Sequence, residues 1–154
     1  MDTLQKVPVR PECVRMGVNL FYISIIIGFL YSILLMCTFL PKIISISAQA
    51  HNLTKQATEE ASDFAIVYFI IAIVITFFLQ LFFTYKAGCG KNWARLLLLI
   101  FLILHLFGFK HDFSVSTANT IYIIVIYIIQ VLGLIFLFNK ESNSWFRELK
   151  QIKK

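Results

Sequence analysis

The side chains of this 154-residue chain that are equipped for chemistry are few and far apart. Its soft metal ligands and thiol nucleophiles are His51, His105, His111, Cys13, Cys37 and Cys89, and no CxxC or HxxxH spacing joins them. A structural zinc site gathers about four such ligands, so no metal is expected, and with no paired or outer-loop cysteines no disulfide is expected either. Glu59, Glu60 and Asp63 cluster before an apolar stretch. There they read as compensation of a helix dipole behind an N-cap at Thr58 or Ser62; His51 and His111 share their side of the chain, but no ligand spacing makes a site of the group. Gly88-Cys89-Gly90-Lys91 resembles a fragment of a phosphate loop, yet GxxxxGK[ST] is missing and no strand precedes it. It reads instead as a tight turn, with Asn92 capping the next helix and Trp93 anchored at headgroup depth. No nucleophile–base pair can be assembled. The chain is expected to be non-enzymatic, with no cofactor and no catalytic residue.

The elements that hold these residues are set by composition. The chain is 59% hydrophobic and 14% charged, where soluble domains run about 45–50% and about 25%. A soluble globular domain is excluded. Charge is absent from 16–40, 64–85, 96–109 and 113–139. A helix crossing a hydrocarbon core of about 30 Å needs roughly 20 apolar residues, and in lipid each backbone amide must be satisfied within its own segment. Three runs meet that length; the third does so only with Trp93, Ala94 and a snorkelling Arg95 added at its edge. The expectation is an all-α membrane protein, one integral membrane domain over 1–154, built as an antiparallel four-helix transmembrane bundle. Its spans are placed at 16–40, 64–85, 93–109 and 117–138, followed by a cytoplasmic tail, 139–154.

The net charge of +6 is distributed over loops. Lys6, Arg10 and Arg15 precede the first run; Lys86, Lys91 and Arg95 lie between the second and third. Lys140, Arg147, Lys150, Lys153 and Lys154 follow the fourth, against Lys42, Lys55 and Lys110 on the other side. The positive-inside rule puts both termini in the cytoplasm. Basic residues divided among juxtamembrane segments suit anionic lipid, so the bilayer and not nucleic acid is the expected partner. Ala48-Gln49-Ala50 has the form of a signal-peptidase site, but the preceding run is far longer than the roughly 7–15 residues of a secretory h-region. Asn52-Leu53-Thr54 is a glycosylation sequon, relevant only in a eukaryotic host.

Inside the runs the polar candidates are Asn19, Gln80, His105 and Gln130. Such groups line a pathway or join helices, and joining is the commoner use. No carboxylate is among them, which argues against a proton-coupled exporter. Ser24, Gly28 and Ser32 recur every four residues, a small-residue stripe for helix packing; Ala65, Ala72, Thr76 and Gln80 share a face, as do Asn119, Tyr122, Gln130 and Gly133. In the tail, Trp145, Phe146, Leu149 and Ile152 fall on one side of a short amphipathic helix with Ser144 as its N-cap. That helix is expected to lie at the inner membrane interface through Trp145 and Phe146, or to dock onto a partner.

Several four-span families fail on these residues. Small multidrug exporters need a carboxylate in the first span. Membrane-associated glutathione and eicosanoid enzymes need a polar Glu/Arg/Asn cluster in the second. Quinone-linked thiol oxidoreductases need CxxC, and claudins and tetraspanins need outer-loop cysteines. Arg10-Pro11 before the first run, the stretch Gly90-Lys91-Asn92-Trp93-Ala94-Arg95 opening the third, and Ser144-Trp145-Phe146 after the fourth resemble uncharacterised small four-span inner-membrane proteins of bacteria. The resemblance implies a location, the bacterial inner membrane, and no activity. The expected function is that of an accessory or interaction protein within the membrane, bound to another membrane protein or to itself; immunity proteins against pore-forming toxins and small subunits of larger complexes share this build. The alternative is a homo-oligomeric channel or small-solute transporter using Asn19, Gln80, His105 and Gln130.

Overall fold

The computed structural model describes residues 8–38, 55–112 and 117–152; five helices make up nearly all of these, with no strand among them. The helices are α1 (Glu12–Thr38), α2 (Lys55–Gly88), α3 (Asn92–Asp112), α4 (Thr117–Leu137) and α5 (Lys140–Ile152). Ile, Val and Phe dominate α1, α2 and α4, residues that in water favour strands. In an apolar medium the helix satisfies every amide locally, and that need outweighs propensity. Three stretches are long and apolar enough to cross a membrane, namely Glu12–Thr38, Ser62–Gly88 and Asn119–Leu137, and a shorter apolar one covers Asn92–Leu104. The short third run thus forms part of a 21-residue helix. These helices are compatible with a membrane bundle.

The chain packs as two compact units, Ile26–Leu79 and the combination of Met1–Ile25 with Gln80–Lys154. In the first, Phe29 and Phe77 bring their ring centroids to 4.4 Å, while Ile33, Leu34, Phe64, Tyr68 and Ile71 remain exposed. The second carries the core. Val14, Val18 and Phe21 of α1, Ala87 of α2, Ala94, Leu98 and Leu102 of α3, Leu134 and Leu137 of α4, and Trp145 and Phe146 of α5 are all buried together.

Two local features differ from the sequence reading. Helix α5 begins at Lys140, not after Ser144: the Asn143 amide donates to the Asn139 carbonyl at 2.9 Å, and Asn139 Oδ1 accepts the Lys140 amide at 2.6 Å. Asn139 is therefore the cap, and Ser144 turns its hydroxyl onto the Glu141 carbonyl at 2.9 Å. Likewise the Asn92 side-chain oxygen accepts from Arg95 Nε instead of from the helix backbone.

The turn from α2 to α3 closes as a Schellman motif. The Gly90 amide donates to Ala87 and the Lys91 amide to Lys86, each at 3.0 Å, so two carbonyls at the end of α2 are satisfied. Gly90 holds φ at 79°, in the left-handed region. A methyl group there would also run into Leu149 and approach Trp145 of α5. Gly90→Ala is therefore expected to cost about 1–2 kcal/mol of stability, because left-handed strain adds to the displacement of α5. Thermal unfolding in detergent reads this, and wild-type stability would show that neither constraint operates.

Candidate functional site

The corner where α4 meets α5 leaves carbonyls that the helix itself cannot satisfy. Three side chains supply the missing donors. Ser142 Oγ donates to Phe136 O at 2.7 Å, Arg95 Nη1 to Leu137 O at 3.2 Å, and Asn143 Nδ2 to Phe138 O at 2.9 Å. Arg95 Nη1 also donates to Asn143 Oδ1 at 2.6 Å. Its guanidinium carbon lies 4.4 Å from the Phe146 ring centroid and 4.8 Å from that of Phe138. A planar cation between two aromatic rings, placed at a helix C-terminus, is favoured by the ring quadrupoles and the helix dipole alike. Arg95 is only 9% exposed. Instead of snorkelling to a membrane edge, it turns inward and ties α3 to α4 and α5.

Trp145 and Phe146, expected as interfacial anchors, are 6% and 3% exposed. Trp145 Nε1 donates to Pro8 O at 3.1 Å, and its ring packs edge-on against Phe146 with centroids 5.0 Å apart. The amphipathic face of α5 is thus occupied inside the protein, because the α2–α3 turn and the end of α4 offer it an apolar seat. Ile152 alone of that face is exposed. Trp93 is 44% exposed and packs against Phe83 at 5.9 Å and Phe82 at 6.3 Å.

A close helix approach joins α1 to α4 at Gly17 and Gly133. A Cβ on Gly17 would stand 2.8 Å from Gly133 O, and one on Gly133 would stand 3.0 Å from the Phe21 ring. Gly133 is a predicted packing residue; Gly17 was not singled out, although it lies seven residues before Ser24 on the same face. Ser24 is buried, and Gly28 and Ser32 are half-buried. The two hydroxyls hydrogen-bond their own helix, Ser24 to Phe21 O and Ser32 to Gly28 O, both at 2.9 Å.

Of the intramembrane polar candidates, the His105 side chain lies outside the described residues, as do His51 and the sequon. Gln80 and Gln130 are half-buried and Asn19 is exposed, and none of these three amides makes a hydrogen bond within the described structure. Gln80 shares its helix face with Thr84, whose hydroxyl is fully enclosed and has no partner among the described residues. No group of three or more His, Cys, Asp or Glu comes together among the described residues. The chain matches no protein-family model, and no curated protein or solved structure is significantly similar to it.

Proposed function

We propose that the protein is a non-enzymatic accessory protein of a bacterial inner membrane that acts by binding another membrane protein or a second copy of itself. In this reading its four apolar helices run antiparallel with both termini in the cytoplasm, the side on which the basic residues gather, and α5 is docked at the cytoplasmic end. An immunity-type role is one form such an activity takes. One observation carries the reading. Asn19 is exposed on the face of α1 that also presents Met16, Ile23, Ile26 and Leu30 to the outside, and its amide has no hydrogen-bond partner within the described structure. An amide on an otherwise apolar, lipid-facing surface gains about 0.6–2 kcal/mol when a second helix supplies a partner. Such a group favours association over solitary insertion.

The second reading, a homo-oligomeric channel or small-solute transporter, draws on Gln80, Gln130 and the enclosed hydroxyl of Thr84. A pathway has to use such groups, because Ile and Phe do not solvate a solute. Flux measurements in proteoliposomes separate the two. The accessory reading expects no flux from the purified protein, and expects Gln80→Leu with Gln130→Leu to leave partner binding intact. Solute-selective flux that disappears in that double variant would replace it with the transporter.

A further inference from the structure

Helix α2 outruns the apolar stretch that it contains. It begins at Lys55, ahead of the uncharged run 64–85, so at about 1.5 Å per residue it extends roughly 13 Å beyond that run. Within the run, Phe64, Tyr68, Ile71, Ile75 and Phe78 alternate spacings of four and three, and all are exposed, at 79%, 76%, 51%, 53% and 63%. Ile66, Phe69 and Ile73, on the other side of the helix, are half-buried. The stretch from Lys55 to Asp63 is polar, and its only apolar residues, Ala57 and Ala61, fall on the same alternation of four and three.

Lipid asks for no such register. Hydrocarbon accepts an apolar side chain at any exposed position, and it makes no demand on the part of a helix that lies outside it. A seam between two helices makes both demands. A repeat of 3.5 residues keeps one side of a helix against its partner as the two supercoil, and the seam continues as far as the helices do. We propose that the stripe from Ala57 to Phe78 is a docking surface for a second copy of the chain, α2 against α2 in a parallel pair.

The stripe fits its own image. Two copies inserted in one orientation present α2 side by side in the same direction, and a two-fold axis between them sets each residue against its counterpart. No charged residue lies on the stripe, so nothing on it repels that counterpart, and Phe64, Tyr68 and Phe78 each meet as an aromatic pair. Ala65 and Ala72 flank the seam, and small residues there let two backbones approach. The five exposed side chains offer about 600 Å², taking roughly 200 Å² for each when fully exposed. A stable interface takes roughly 800 Å² per partner, and Val67 and Val74, 55% and 40% exposed beside the stripe, extend it toward that size.

The proposal rests on the accessory reading, whose partner it names as a second copy, but it uses a face of α2 and not the α1 face at Asn19. Single cysteines are introduced into the full chain after Cys13, Cys37 and Cys89 have been changed to serine, and native membranes are oxidised with copper–phenanthroline. Disulfide-linked dimers are expected from Ile71→Cys, Ile75→Cys and Phe78→Cys, and none from Ile66→Cys or Ile73→Cys on the other side of the helix. In detergent, Ala61→Lys, placed outside the apolar run, is expected to raise the dimer dissociation constant about tenfold by setting like charges across the seam. Glu59→Lys changes the charge by more, on the opposite side of the helix, and leaves the dimer intact. Dimers from every position alike, from none of them, or an Ala61→Lys protein that dimerises as wild type would overturn the proposal. So would disulfides formed only with a polypeptide of another mass. A chain released from membranes by alkaline carbonate would instead sink the membrane reading itself. A protein adduct at position 19 with monomeric stripe cysteines would leave the accessory reading standing and overturn this proposal alone.

Discussion

Arg95→Met lowers the stability of the folded chain by about 3 kcal/mol, because two acceptors lose their donor at once and an unpaired buried acceptor costs roughly 1–3 kcal/mol. Those acceptors are Leu137 O and Asn143 Oδ1, both bound by Arg95 Nη1. Methionine keeps much of the apolar volume between Phe138 and Phe146, so the loss reports the guanidinium and not a cavity. Arg95→Lys falls between the two, since one ammonium does not reproduce the planar fork. The same variants expose α5: limited proteolysis in detergent removes the C-terminal helix faster from Arg95→Met than from wild type. Arg147→Met is the control, because Arg147 is exposed and its one hydrogen bond among the described residues is a 3.4 Å contact to the Asn143 carbonyl. Equal unfolding of wild type and Arg95→Met would show that the clamp holds nothing.

Gly17→Leu is expected to cost about 3 kcal/mol, the upper end for overpacking, because the atom it meets is backbone. A Cβ at this position would stand 2.8 Å from Gly133 O and 2.9 Å from Leu137 Cγ. Leu137 can turn away; the carbonyl moves only if α1 and α4 separate. Gly17→Ala loses less but still more than Ile23→Leu, a swap on the exposed face of the same helix. Unfolding by denaturing detergent ranks the three. A Gly17→Leu protein as stable as wild type would place Gly17 against lipid.

The helices were legible because lipid-compatible runs leave few alternatives to a helix. The turn at Gly88–Gly90 was legible as well, since glycine at the end of an apolar run has few other uses. The clamp was not. Arg95 stands at the margin of a short run, where sequence reads a snorkelling cation, and its partners Leu137 and Asn143 are 42 and 48 residues away. Nothing local marks that pairing. The tail shows a different limit: an apolar face made of Trp145, Phe146 and Leu149 has the same period whether it meets lipid or protein. Docking consumes it here because Asn139 starts α5 directly after α4, leaving only Phe138 and Asn139 between them. Gly17 was within reach, had the stripe at Ser24 been followed one heptad toward the N-terminus.

Photo-crosslinking at position 19 tests the proposed association of α1 with another helix in the membrane. A benzophenone amino acid replaces Asn19 in the full chain, and native membranes are irradiated before solubilisation. The expected result is a discrete protein adduct, whose mass identifies a second copy or a different membrane polypeptide, together with weaker association in Asn19→Leu. Adducts to lipid alone, with Asn19→Leu behaving as wild type, would contradict it.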